Sequence, residues 1–196
     1  MLFDVPPVHF ERSAHPAAER MLREVIPSRL PGGLALVAKD CGKPEARWDH
    51  ERRRIVYCYE LATTTDATMK GIAETEESGD PAATTEGALT AVLHQQMGHA
   101  LIALNGLEAS DALADRFAAL TLASAAPERV VAAAHGHYLT VAGRQERSFD
   151  FECLLYGADP KAHAHIASAG WVPAERAPGC AREYGQARES LGSYLR

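Results

Sequence analysis

Val92-Leu93-His94-Gln95-Gln96-Met97-Gly98-His99-Ala100-Leu101-Ile102 is an apolar run that carries two histidines and two adjacent glutamines. Thr84 or Thr85 is placed to cap a helix from about Glu86 to Leu104, and Asn105-Gly106, which tolerate left-handed backbone, end it. Zinc helices of the H-E-x-x-H type put both histidines on one face, because four residues advance about 400°, only about 40° out of register. His94 and His99 are five apart, which turns their rings about 140° from each other on a straight helix. They share a metal only if the helix carries a π-bulge, and Gly98 is the place for one. The other register keeps the normal spacing. It sets Gln95 in place of the first histidine and Gln96 in place of the glutamate, and it loses the metal site, because a neutral amide is a poor zinc ligand.

The next helix, from about 109 to 126, carries Asp111 and Asp115 on one face. Asp111 fits a third metal ligand, with Glu108, one turn earlier, as the alternative. Asp115 fits a carboxylate that holds a ligand histidine by its other ring nitrogen. Beyond it, His137 and Tyr138 offer donors for an oxyanion. Taken as isolated residues, His135, His163 and His165 read as surface, while Met97, Tyr156 and Trp171 read as packing residues.

The wider chain suits a buried core. Its 196 residues are 46% hydrophobic and 23% charged, so one domain over 1–196 is expected. With a net charge of −6 and no basic run longer than Arg52-Arg53-Arg54, nucleic acid is not expected as a partner. No apolar stretch is long enough to span a bilayer. Met1-Leu2-Phe3-Asp4-Val5-Pro6-Pro7 lacks the basic and apolar regions of a signal peptide, so the chain either stays in the cell or begins after a removed signal. Four cysteines allow three pairings, of which Cys41–Cys58 with Cys153–Cys180 is favoured because each pair joins neighbouring segments. Disulfides point to an oxidising compartment; four buried thiols are the alternative.

Ala14, Ala17, Ala18, Met21, Leu22 and Val25 recur at helical spacing, with Ser13 as the expected N-cap and Pro27 as the stop. Pro31-Gly32-Gly33 reads as a turn. Residues 34–38 and 54–59 read as strands, residues 60–72 favour a helix, and 73–86 read as a surface loop. Another helix covers about 128–139, and 147–195 is mainly helical with breaks at Pro160, Gly170 and Pro178-Gly179. The layout is α+β, a small N-terminal sheet followed by helices.

Several segments, in order, resemble a family of bacterial zinc metallopeptidases of gluzincin type that was first catalogued as a domain of unknown function. The segments are Asp40-Cys41-Gly42, Cys58-Tyr59-Glu60-Leu61, Met97-Gly98-His99-Ala100-Leu101, Asp111-Ala112-Leu113-Ala114-Asp115, His137, Arg147, Cys153-Leu154-Leu155-Tyr156-Gly157, Arg176, Cys180 and Glu183-Tyr184. His94-Gln95-Gln96-Met97-Gly98-His99 is also similar to the six-residue HELLGH motif of dipeptidyl peptidase III type enzymes, with Gln95 where the general-base glutamate stands. The resemblance implies a zincin-like fold that cleaves a peptide or protein substrate at zinc. The ligands would be His94, His99 and Asp111, supported by Asp115, and the catalytic positions would be Gln95, His137 and Tyr138. It implies a secreted or periplasmic location, with the cytoplasm left open. With Gln95 as the base position, whether natural or engineered, the peptidase is inactive as written. The alternative is a dead relative that binds a peptide or protein partner through the old cleft.

Overall fold

The first third of the chain builds a mixed sheet against which the later helices stack. The computed structural model describes residues 7–30, 33–76, 80–141 and 145–195, without side chains at 75–76, 141 and 145–148. The strands are β1 (Val8–Phe10), β2 (Ala35–Lys39), β3 (Ala46–Asp49) and β4 (Arg54–Cys58), in the order β1-β2-β4-β3. β2 runs parallel to both β1 and β4, in the register Leu36↔Ile55 and Val37↔Val56, and β3 closes the edge antiparallel to β4 with Trp48 opposite Ile55. β2 and β4 are apolar on both faces, as central strands covered on both sides must be. Leu36, Ala38, Ile55 and Tyr57 point into the larger core, while Val37, Val56 and Cys58 make a small cluster with Cys41 behind the sheet. β1 and β3 carry no strand-length apolar pattern. They exist by pairing with an already formed neighbour, and the sequence did not announce them.

Eight helices follow or interleave: α1 (Pro16–Val25), α2 (Tyr59–Glu76), α3 (Pro81–Leu104), α4 (Asp111–Ala125), α5 (Val130–Val141), α6 (Gln145–Ala158), α7 (Ala164–Ser168) and α8 (Cys180–Leu191). The α+β layout is therefore the observed one. Two expected caps are corrected. Ser13 does not cap α1: its hydroxyl accepts from the His15 N–H at 2.7 Å, and His15 precedes Pro16 without a side-chain cap. α3 starts five residues earlier than expected, inside the supposed loop, because Asp80 caps it (Ala82 N–H to Oδ1, 3.0 Å) with Pro81 in the first turn. Thr84 and Thr85 instead donate back to the carbonyls of Asp80 and Pro81. The chain start, most of the Pro31-Gly32-Gly33 turn and the Arg147 side chain lie outside the described residues.

α3 is the axis of the molecule. On one side Leu89, Leu93, Met97 and Ala100 pack with the sheet and α1; on the other, Ala91, Leu101 and Ile102 join the core built from α4, α5, α6 and α8. The contacts with α4 and α5 are made at backbone distance. A Cβ on Gly87 would lie 2.0 Å from the Ala132 carbonyl oxygen, one on Gly136 would lie 2.1 Å from the Ala88 nitrogen, and one on Gly98 would lie 2.4 Å from the Ala114 carbonyl oxygen. Gly98 thus serves close packing, and α3 runs as unbroken α-helix through it.

Disulfides Cys41–Cys58 and Cys153–Cys180 are both present, as favoured. The first ties the loop after β2 to the end of β4, and the second joins α6 to the start of α8. Among the described residues no single helix is long and apolar enough to cross a membrane.

Because no side-chain motion relieves a backbone clash, Gly136→Ala must push α3 and α5 apart. We expect a loss of about 1–3 kcal/mol in urea unfolding, whereas Gly71→Ala, with open space around it on α2, costs nothing or stabilises.

Candidate functional site

From Ala91 to Ala103 every residue of α3 is buried except Val92, Gln95, Gln96, His99 and Ala103. Those five follow i, i+3, i+4, i+7 and i+11, which is one face of a regular α-helix. This half-open stripe holds Gln95 and His99 four residues apart on one face of α3. His94 is off the stripe. It is 6% exposed and faces the opposite side of α3, with its Nδ1 3.0 Å from Thr121 Oγ1. The structure therefore does not bring His94 and His99 together, since the bulge that would do so is absent from α3. His99 and Asp111 do meet at the edge of the stripe, Nε2 to Oδ1 3.8 Å.

Behind the stripe lies a buried polar network. Gln95 Nε2 donates to Asp115 Oδ1 at 2.8 Å and stands 3.3 Å from His137 Nε2, and His137 Nδ1 stands 2.7 Å from Glu152 Oε1. An amide nitrogen has two hydrogens, so one goes to the carboxylate and the other to the ring. His137 must then accept at Nε2 and carry its proton at Nδ1, donated to Glu152. Asp115, His137 and Glu152 are all at most 3% exposed, on α4, α5 and α6. Burial pushes the Glu152 carboxyl up, against the lowering effect of the bond from His137. Its Oε2 has no hydrogen-bond partner among the described residues.

The other expected site residues are dispersed. Tyr138 points out of the network towards Trp171, 6.3 Å between rings, because one residue along α5 turns it about 100° from His137. Glu108 is exposed in the loop before α4. His135 stacks flat on Trp171 at 4.5 Å, and His163, expected on the surface, is buried with its Nδ1 2.8 Å from the Leu155 carbonyl. Arg176 bridges Asp150 and Glu183. Glu152 and Thr121 were missed. Nothing in local spacing marks either one; each is identified only by the histidine that the fold sets against it.

The family profile DUF4344, described as "Putative metallopeptidase", matches residues 17–146 and 131–195. The chain belongs to this family. No curated protein and no solved structure gives a significant match.

Family membership implies a metal, so the donors on the Gln95–His99 face of this metallopeptidase-family chain must be weighed. His99 and Asp111 remain adjacent. The position four residues before His99 is an amide whose nitrogen is turned to Asp115. Structural and catalytic zinc sites need at least three His, Cys or carboxylate ligands, and the described residues on this face converge only two. The groups of three that do converge elsewhere are His15-Asp40-Glu60 and Cys41-Cys58-Glu60, and the second is already spent on a disulfide and on holding the Cys41 and Gly42 N–H groups. Among the described residues, the donors on this face do not fit zinc.

His94 makes a measurable signature. Burial, with the nearby Arg129 cation second, lowers its pKa from the ordinary 6.5 to about 4. The unfolded chain takes up this proton near pH 6.5 and the folded chain only near pH 4, so protons favour unfolding across that window. Stability is full above pH 6.5 and falls by about 3 kcal/mol on acidification to pH 4. Urea unfolding from pH 7 to 4 should show this slope, and His94→Phe should flatten it.

Proposed function

We propose that this chain is an inactive member of the metallopeptidase family that uses the Gln95–His99 face of α3 to bind a peptide or protein partner. The observation that carries this reading is the hydrogen bond from Gln95 to Asp115. Asp115 is the carboxylate expected to hold a ligand histidine by its other ring nitrogen, and here it holds a glutamine, four residues before His99 on the same helix face. Gln96 then stands where the general base belongs, and an amide accepts no proton from water. Both losses fall in one register, so restoring only residue 95 as glutamate supplies a base in the wrong place.

What this face retains is polar. Gln96, His99 and Asp111 line a half-open stripe with donors and acceptors suited to peptide groups, over a network that fixes Gln95. The two disulfides support residence in an oxidising compartment, secreted or periplasmic.

The reading with His94, His99 and Asp111 as zinc ligands remains the alternative outcome of the test. Protein purified from zinc-supplemented medium should carry only substoichiometric zinc by elemental analysis and should not cleave peptides. The double variant Gln95→His with Gln96→Glu should bind about one zinc per chain and gain peptide cleavage that chelators abolish. Zinc near one per chain in the unaltered protein, or no zinc in the double variant, contradicts the proposal.

A further inference from the structure

On the side of α3 away from Gln95 and His99, α1, α3 and the end of α4 border an open pocket of about 500 Å³. Its walls are mostly apolar, with Val25, Leu30, Leu93 and Met97 among them, and its polar groups include His94 and Arg129. This is the size of a small-molecule site, with an apolar floor and a polar rim that includes Glu24, Arg29, Glu128 and Arg129.

The ring of His94 stands against Thr121. The Thr121 hydroxyl hydrogen is directed to the carbonyl of Phe117 or Ala118, at 2.9 and 3.0 Å. With the hydrogen there, the oxygen is left to accept, which matches the His94 tautomer that carries its proton at Nδ1. In that tautomer Nε2 is a bare acceptor with no hydrogen-bond partner among the described residues, on a ring that is 6% exposed and lines the pocket. An acceptor that opens onto the pocket is one that a donor entering it can pair with. Arg129 makes no matching demand. Its guanidinium is held by the carbonyls of Glu24 and Val25 at the end of α1 and by Glu86. Glu24 and Glu128 are balanced around the pocket by Arg29 and Arg129, so the lining has no net charge to attract an ion, and its apolar part disfavours any charge.

We propose that this pocket binds a small uncharged ligand with an apolar body and a single O–H or N–H group, which donates to His94 Nε2. The site lies on the other side of α3 from Gln95 and His99, and it rests on the reading in which His94 is not a metal ligand.

The test uses the whole protein with phenol as probe and anisole, its methyl ether without a donor, as control. Calorimetry and the ring-nitrogen signals of ¹⁵N-histidine-labelled protein provide the readouts. Phenol should bind about tenfold more tightly than anisole and shift the His94 Nε2 signal. His94→Phe should abolish the preference. Ala125→Trp, at an exposed position on the pocket wall where folding is not at stake, should block both ligands. The proposal is overturned if neither probe binds, if the two bind equally, if the preference survives in His94→Phe, or if Ala125→Trp leaves phenol binding unchanged.

Discussion

Backbone-to-backbone contact along α3 governs everything that the Gln95–His99 face can be. Gly87 and Gly136 let α3 and α5 touch at the main chain, and Gly98 does the same against α4. A helix held that closely has no room to take up an extra residue per turn without lifting off its neighbours. Its side chains therefore fall where a period of 3.6 puts them. The five-residue separation of His94 and His99 becomes a separation between two sides of the molecule, and the four-residue separation of Gln95 and His99 becomes a shared face.

From that face the polar network follows. A glutamine that projects between Asp115 and His137 must donate to both, which fixes the imidazole tautomer and hands its remaining proton to Glu152. The network is satisfied without a cation, apart from one oxygen of Glu152. The amide of Gln95 donates as an imidazole N–H would, so this core stays paired around residue 95. On the proposed reading, the fold of a metallopeptidase-family chain is kept while amides stand at residues 95 and 96.

Much of this was legible in the residues, and the limits have physical causes. The central strands, α1, the centre of α3 and both disulfides followed from apolar runs, helical spacing and the proximity of cysteine-bearing segments. β1 and β3 were invisible because a short edge strand owes its existence to its neighbour and not to its own composition. The start of α3 was missed because two threonines looked like caps, while Asp80-Pro81 supplied a stronger one. Within the site, the sequence offered two registers and could not choose. The choice depends on Gly98, which as a lone glycine reads equally as a weak point or as a packing contact; only the atoms of Ala114 beside it decide. Tyr138 was drawn in by adjacency to His137, although neighbours on a helix point in different directions.

The most direct measurement of the central claim, that residue 95 and not residue 94 occupies the ligand position, is the zinc affinity of Gln95→His measured alone and combined with a second substitution. The account predicts that Gln95→His gains zinc binding, that His99→Ala in the same chain abolishes it, and that His94→Ala leaves it intact. Zinc binding that is lost with His94→Ala, or that survives His99→Ala, would contradict it.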